Sequence, residues 1–201
     1  TRRKSEGDMP LNLPNILTSI RVVLIPLMVV MFYLPVYWAS FAAAVVFWVA
    51  CITDYWDGYL ARKMNLMTPF GAFLDPVADK LIVVVSLMIV VERDQTLWVT
   101  VPALIIVARE VIISALREWM AEVGKSANVA VSNIGKAKTL AQMFAITGVL
   151  GIEPSGSGAF VSSDGWYVAA IVSLLFAAIL TLWSMVTYLV AAWPELSASN
   201  K

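Results

Sequence analysis

The run VVLIPLMVVMFYLPVYWASFAAAVVFWVACIT, residues 22–53, contains no charged side chain. A helix needs about 20 apolar residues to cross the hydrocarbon core of a bilayer, so this run is too long for one span and suits two. Pro35 and the VYWAS stretch at 36–40 divide it, because proline cannot donate the backbone hydrogen bond that a continuing helix requires. The reading is a helix over about 15–34, a turn, and a second helix over about 39–63.

The pattern repeats along the chain. A third helix is expected to start near Pro76 and run through LIVVVSLMIVV to Glu92, and a fourth covers LWVTVPALIIVAREVIISALREWM. A fifth begins near Lys136 and runs through TLAQMFAITGVLGI. The sixth, WYVAAIVSLLFAAILTLWSMVTYLVAAW, is ended by Pro194. EPSGSGAFVSSDG, between the last two, reads as a flexible polar loop. Composition agrees: 60% of the 201 residues are hydrophobic and 14% charged, with a mean hydropathy of +0.81. Soluble domains carry roughly 45–50% apolar and about 25% charged residues. The expected fold is an all-α integral membrane domain of six transmembrane helices over residues 9–201. The octet TRRKSEGD before Met9 is set apart as an added or disordered leader, with Met9 reading as a natural start. The first apolar stretch has no small-residue cleavage pattern and is expected to remain as a span.

An even number of spans places both termini on one side. Every lysine and arginine except Arg93 falls on that side, which makes it cytoplasmic. Lys+Arg and Asp+Glu balance at 14 each, so net charge gives no reason to expect nucleic acid. The absence of histidine excludes His-based zinc sites and Ser-His or Cys-His catalysis. Cys51 stands alone, cannot form an internal disulfide, and reads as an inert buried thiol. Eight tryptophans and six tyrosines read as interfacial anchors.

Against this background TDYWDGYLARKMNLMTPFGAFLDPVADK, residues 53–80, gathers four aspartates. Asp54 and Asp57 are spaced i, i+3, and Asp75 and Asp79 i, i+4, so each pair shares one face of its helix. Gly58 and Ala61 share the face of the first pair and leave room beside it. Thr68, Pro69 and Gly71 are expected to turn the chain back, bringing the second pair to the first. Four carboxylates in a low-dielectric cavity repel one another, and two divalent cations would cancel their charge. Mg²⁺ suits an all-oxygen donor set and leaves coordination positions for a substrate phosphate. A purely structural alternative exists for each piece. Asp75 before Pro76 fits a helix N-cap, Asp79 would gain from the macrodipole, and Asp54 or Asp57 could pair with Arg62 or Lys63. Arg109, Glu110, Arg117 and Glu118, on the fourth helix, cannot face lipid and are expected to line an interior cavity.

Asp54-x2-Asp57-Gly58-x2-Ala61-Arg62-x8-Gly71-x3-Asp75-x3-Asp79 resembles, at every fixed position, the signature of the CDP-alcohol phosphotransferases. NLPNILTSIRVVLIP, FGAFLDPVADK, AREVIISALREWMAE and GKAKTLAQM extend the resemblance, toward bacterial members, over nearly the whole chain after Met9. It implies six transmembrane helices around a cytoplasm-facing polar cavity, a homodimer, and residence in a bacterial cytoplasmic membrane. The implied reaction moves the phosphatidyl group of CDP-diacylglycerol to glycerol 3-phosphate and releases CMP. By resemblance, Asp54, Asp57, Asp75 and Asp79 hold two Mg²⁺ (or Mn²⁺) ions, and Asp79 is also the general base. Asn15, Thr18, Gly58, Ala61, Arg62, Thr68 and Gly71 surround the CDP group. The acceptor's phosphate needs cations, and Arg109, Arg117, Lys136 and Lys138 are the candidates. Against that role, the arginines could pair with Glu110, Glu118 or Glu122 and the lysines could meet lipid headgroups; Arg21 could equally touch a lipid phosphate. Competing readings are another acceptor, serine or inositol phosphate, and a divalent-cation transporter. A transport path would place polar groups across the bilayer, and the outer halves of these helices are apolar.

Overall fold

Six α-helices follow one another: α1 Leu13–Phe32, α2 Ala39–Met64, α3 Pro69–Asp94, α4 Leu97–Glu122, α5 Asn133–Gly151 and α6 Asp164–Ala198. This computed structural model describes residues 13–64, 69–122 and 133–198, with side chains described over 19–53, at Leu74, and over 76–122 and 139–193. Among the described residues there is no strand, only an isolated bridge between Glu153 and Ser162.

The division of the 22–53 run at Pro35 holds, with the chain turning over residues 33–38. Three boundaries differ from expectation. α3 starts at Pro69, not near Pro76. Proline is tolerated at the first helical position, where its missing N–H would have had no partner, so Pro69 and Gly71 belong to the helix and not to the connector. Pro76 then lies inside α3, and Asp75 is too far from the helix start to be its N-cap. α5 begins at Asn133, one turn before Lys136. α6 passes through Pro194 and continues to Ala198.

Short connections reverse the chain and gather one set of loops at one end. There the Phe160 amide donates to the Tyr37 carbonyl at 2.6 Å, and the Tyr33 hydroxyl donates to Glu92 at 3.1 Å. Arg93, at the end of α3, donates to the carbonyls of Val149 at 2.6 Å and Leu150 at 3.3 Å. A cation is thereby placed on the orphan carbonyls and negative dipole end of α5. Ser40 hydrogen-bonds Glu153 across the same end. The 153–165 loop is polar as read, but it is not loose. The Glu153 amide donates to Val161, the Ser163 amide to Glu153, and Ser155 and Asp164 exchange two bonds. Gly156 and Gly158 take left-handed backbone (φ 91° and 78°) that other residues rarely adopt.

The core draws on all six helices, with Met28, Phe47, Leu87, Ile106, Ile146 and Leu174 among its members. Small residues set the closest approaches, as expected where lipid removes the hydrophobic incentive for helices to associate. Gly148 faces Ala170, and a Cβ added at Gly151 would lie 2.8 Å from the Ala44 Cβ. Polarity runs opposite to that of a soluble bundle. Val30, Leu104, Phe144, Phe176, Trp183 and Val190 are exposed, whereas Arg21, Ser86, Arg109, Gln142 and Ser184 are buried. α4 and the Asp164–Trp193 part of α6 are long and apolar enough to cross a membrane.

Candidate active site

At the end away from those loops, a cavity of about 290 Å³ is lined by side chains from all six helices. This is at the small end of the range for ligand pockets, about 300–1,000 Å³. It matches a small polar metabolite rather than a lipid. α1 contributes Arg21, from the face that also buries Ile25, Met28 and Phe32 at i+4, i+7 and i+11. α3 contributes Asp79 and Lys80, α4 Arg109, Glu110 and Arg117, and α6 Tyr188.

Arg109 sits on the buried stripe of α4 with Ile106, Ile113, Leu116 and Met120. Its Nη1 donates to Glu110 at 2.6 Å and its Nη2 to Ser184 Oγ at 3.4 Å. Its buried Nε has no hydrogen-bond partner among the described residues. Two turns further on, the Arg117 guanidinium lies 5.6 Å from the centre of the Tyr188 ring, a cation–π contact that fixes its direction. The described lining carries four cations, Arg21, Lys80, Arg109 and Arg117, against two acids, Asp79 and Glu110. An excess of guanidinium in a concave, low-dielectric site attracts a phosphate.

A family model, CDP-alcohol phosphatidyltransferase, matches residues 11–193. The chain belongs to this family. Over 189 residues it is 52% identical to proteins named CDP-diacylglycerol–glycerol-3-phosphate 3-phosphatidyltransferase from Escherichia coli (strain K12), Shigella sonnei (strain Ss046) and Shigella boydii serotype 4 (strain Sb227). Each alignment spans 94% of this chain and 98% of the relative.

For a CDP-alcohol phosphatidyltransferase, the placement of the expected residues can be followed helix by helix. Asp79, Arg109 and Arg117 meet in the cavity. Asp54 and Asp57 lie one turn apart in the last three turns of α2, with Gly58, Ala61 and Arg62 after them. Asp75 lies one turn before Asp79 on α3, and Gly71 falls in the first turn of that helix. Asn15 and Thr18 occupy the first two turns of α1, and Lys136 and Lys138 the first two turns of α5. The side chains of these residues, and Thr68 altogether, lie outside the described residues. Glu118 is exposed and does not line the cavity, unlike Glu110.

Two expectations are corrected, that Glu118 lines the cavity and that Cys51 is deeply buried. Arg21, for which the sequence leaves contact with a lipid phosphate open, is 1% exposed and lines the cavity. Cys51 is not deeply buried but half-buried, on the cavity wall. Gln142 and Tyr188 were not singled out from sequence. The signal for Gln142 was present, a lone amide one turn after Thr139 in an otherwise apolar helical stretch.

Proposed function

We propose that this chain is an integral membrane transferase that moves the phosphatidyl group of CDP-diacylglycerol to glycerol 3-phosphate, releasing CMP. One observation carries the reading. A small cavity rich in arginine joins Asp79, in a chain 52% identical to enzymes named for that reaction. All six helices cross the bilayer in this account, with the termini and the cavity mouth cytoplasmic, as the one-sided distribution of lysine and arginine supports. The family resemblance adds a homodimer.

Arg109 and Arg117 hold the acceptor's phosphate, joined by Lys136 and Lys138 at the start of α5. Fixing the phosphate orients the acceptor's free primary hydroxyl toward Asp79. The Asp79 carboxylate takes the hydroxyl proton as its oxygen attacks the lipid-bearing phosphorus. The bond to the CMP oxygen breaks, and CMP leaves with the electron pair. Asn15, Thr18, Gly58, Ala61, Arg62, Thr68 and Gly71 surround the CDP group. Asp54, Asp57, Asp75 and Asp79 form two carboxylate pairs on helices joined by a short connector, an all-oxygen donor set that suits a hard divalent cation. Two Mg²⁺ (or Mn²⁺) ions held there would neutralise charge on the diphosphate and improve CMP as a leaving group. The chain itself supplies positioning and charge, which is most of what phosphoryl-type transfer requires.

The test is purified protein supplied with CDP-diacylglycerol and, in turn, glycerol 3-phosphate, serine and inositol phosphate. CMP release with glycerol 3-phosphate alone is expected. Preference for serine or inositol phosphate overturns the acceptor assignment, and full activity in Asp79→Asn overturns the role of Asp79.

A further inference from the structure

We propose that Gln142 is an acceptor-specificity residue, and that its amide hydrogen-bonds the hydroxyl of the acceptor that does not react. The inference rests on the reading of the cavity as the glycerol 3-phosphate site.

Gln142 lies on α5 and lines the cavity with Thr139, Met143 and Ile146, the i−3, i+1 and i+4 positions of one helix face. It is 6% exposed. A primary amide carries two donors and one carbonyl acceptor, and no hydrogen bond ties this one to another described residue, so it opens onto the cavity. Leucine or methionine would fill the same helical position without a polar group to desolvate. An amide kept on a cavity wall is therefore expected to meet a polar ligand.

The chemistry of the lining says which part of that ligand. The cations Arg21, Lys80, Arg109 and Arg117 already suit a phosphate. Glu110 accepts from Arg109, and Asp79 is assigned to the reacting hydroxyl. A second hydroxyl needs a neutral partner that both donates and accepts, and the Gln142 amide does both. Glycerol 3-phosphate carries one such hydroxyl, on its central carbon.

The experiment compares glycerol 3-phosphate with 3-hydroxypropyl phosphate, which lacks only that hydroxyl, in the CMP-release assay. A site built around a hydroxyl leaves its own polar group unpaired with the deoxy analogue, so wild type should favour glycerol 3-phosphate in kcat/KM by about 30-fold or more. In Gln142→Met that preference should fall to about threefold or less, the remainder of one weak hydrogen bond. The ratio is taken on one protein sample, so a partly folded variant does not distort it. A wild-type preference below about twofold overturns the assignment without any variant. An unchanged preference in Gln142→Met overturns it, as does loss of turnover of both substrates in Gln142→Met and Gln142→Asn alike. Failure of the underlying reading looks different: wild type then releases no CMP with glycerol 3-phosphate itself.

Discussion

Replacing Arg109 by alanine should separate binding of the two substrates. The guanidinium has five N–H donors, and two bonds, to Glu110 and Ser184, fix its plane. The second N–H on each of Nη1 and Nη2 remains to meet an anion, while the Nε is buried without a hydrogen-bond partner among the described residues. A hydrogen bond to a charged group contributes about 1.5–3 kcal/mol, and each 1.4 kcal/mol is a factor of ten. One strong phosphate contact is then equivalent to roughly 10- to 150-fold in acceptor KM. The 3.4 Å bond to Ser184 is long, so its loss should cost less than about 1 kcal/mol and leave the protein folded. The assay varies glycerol 3-phosphate at saturating CDP-diacylglycerol, then the reverse. Arg109→Ala should raise the acceptor KM by that factor and the donor KM by less than about threefold, and Arg109→Lys should fall between wild type and Arg109→Ala. Equal increases in both KM values would refute the placement of the acceptor's phosphate at Arg109.

Three further outcomes follow from the packing. Gly151→Ala places a methyl 2.8 Å from the Ala44 Cβ, and such overpacking should cost about 1–3 kcal/mol in thermal unfolding; adding Ala44→Gly should recover most of it, and no recovery would show that α2 and α5 do not meet there. Arg93→Met removes the bonds to Val149 and Leu150 and should destabilise by about 2 kcal/mol with kcat unchanged, because Arg93 lies at the opposite end from the cavity; lost turnover at an unchanged melting temperature would contradict this. Cys51 is the sole thiol in the chain and lines the cavity, so saturating glycerol 3-phosphate should slow its labelling by a small maleimide several-fold, and unaltered labelling would separate the acceptor from the cavity.

Helix number and order were legible because each apolar run exceeds what a loop tolerates and is bounded by proline or charge. The boundaries that moved did so at prolines. Pro69 could open a helix as easily as form a turn, and Pro194 could be carried inside a helix already 30 residues long at Trp193. Periodicity cannot choose between those uses. The Asp79–Arg109–Arg117 grouping was legible because charge within an apolar helix has few places to point. Arg21 stayed undecided because one arginine near a helix end satisfies a lipid headgroup and an interior cavity equally well in sequence. Its burial is decided by α1 packing against α2 and α3. Gln142 carries no charge, so neither the basic-residue asymmetry nor the acidic spacing marked it, and only the cavity does.

The central claim is that this chain joins the two substrates at a carboxylate-held divalent metal beside a basic acceptor pocket. It is tested most directly by following CMP release from CDP-diacylglycerol with purified protein, with glycerol 3-phosphate and Mg²⁺ each omitted in turn. The account predicts CMP formed one-for-one with a phosphatidylglycerophosphate product, only when both are present and reversibly abolished by a chelator. CMP release that persists without the acceptor or without metal would contradict it.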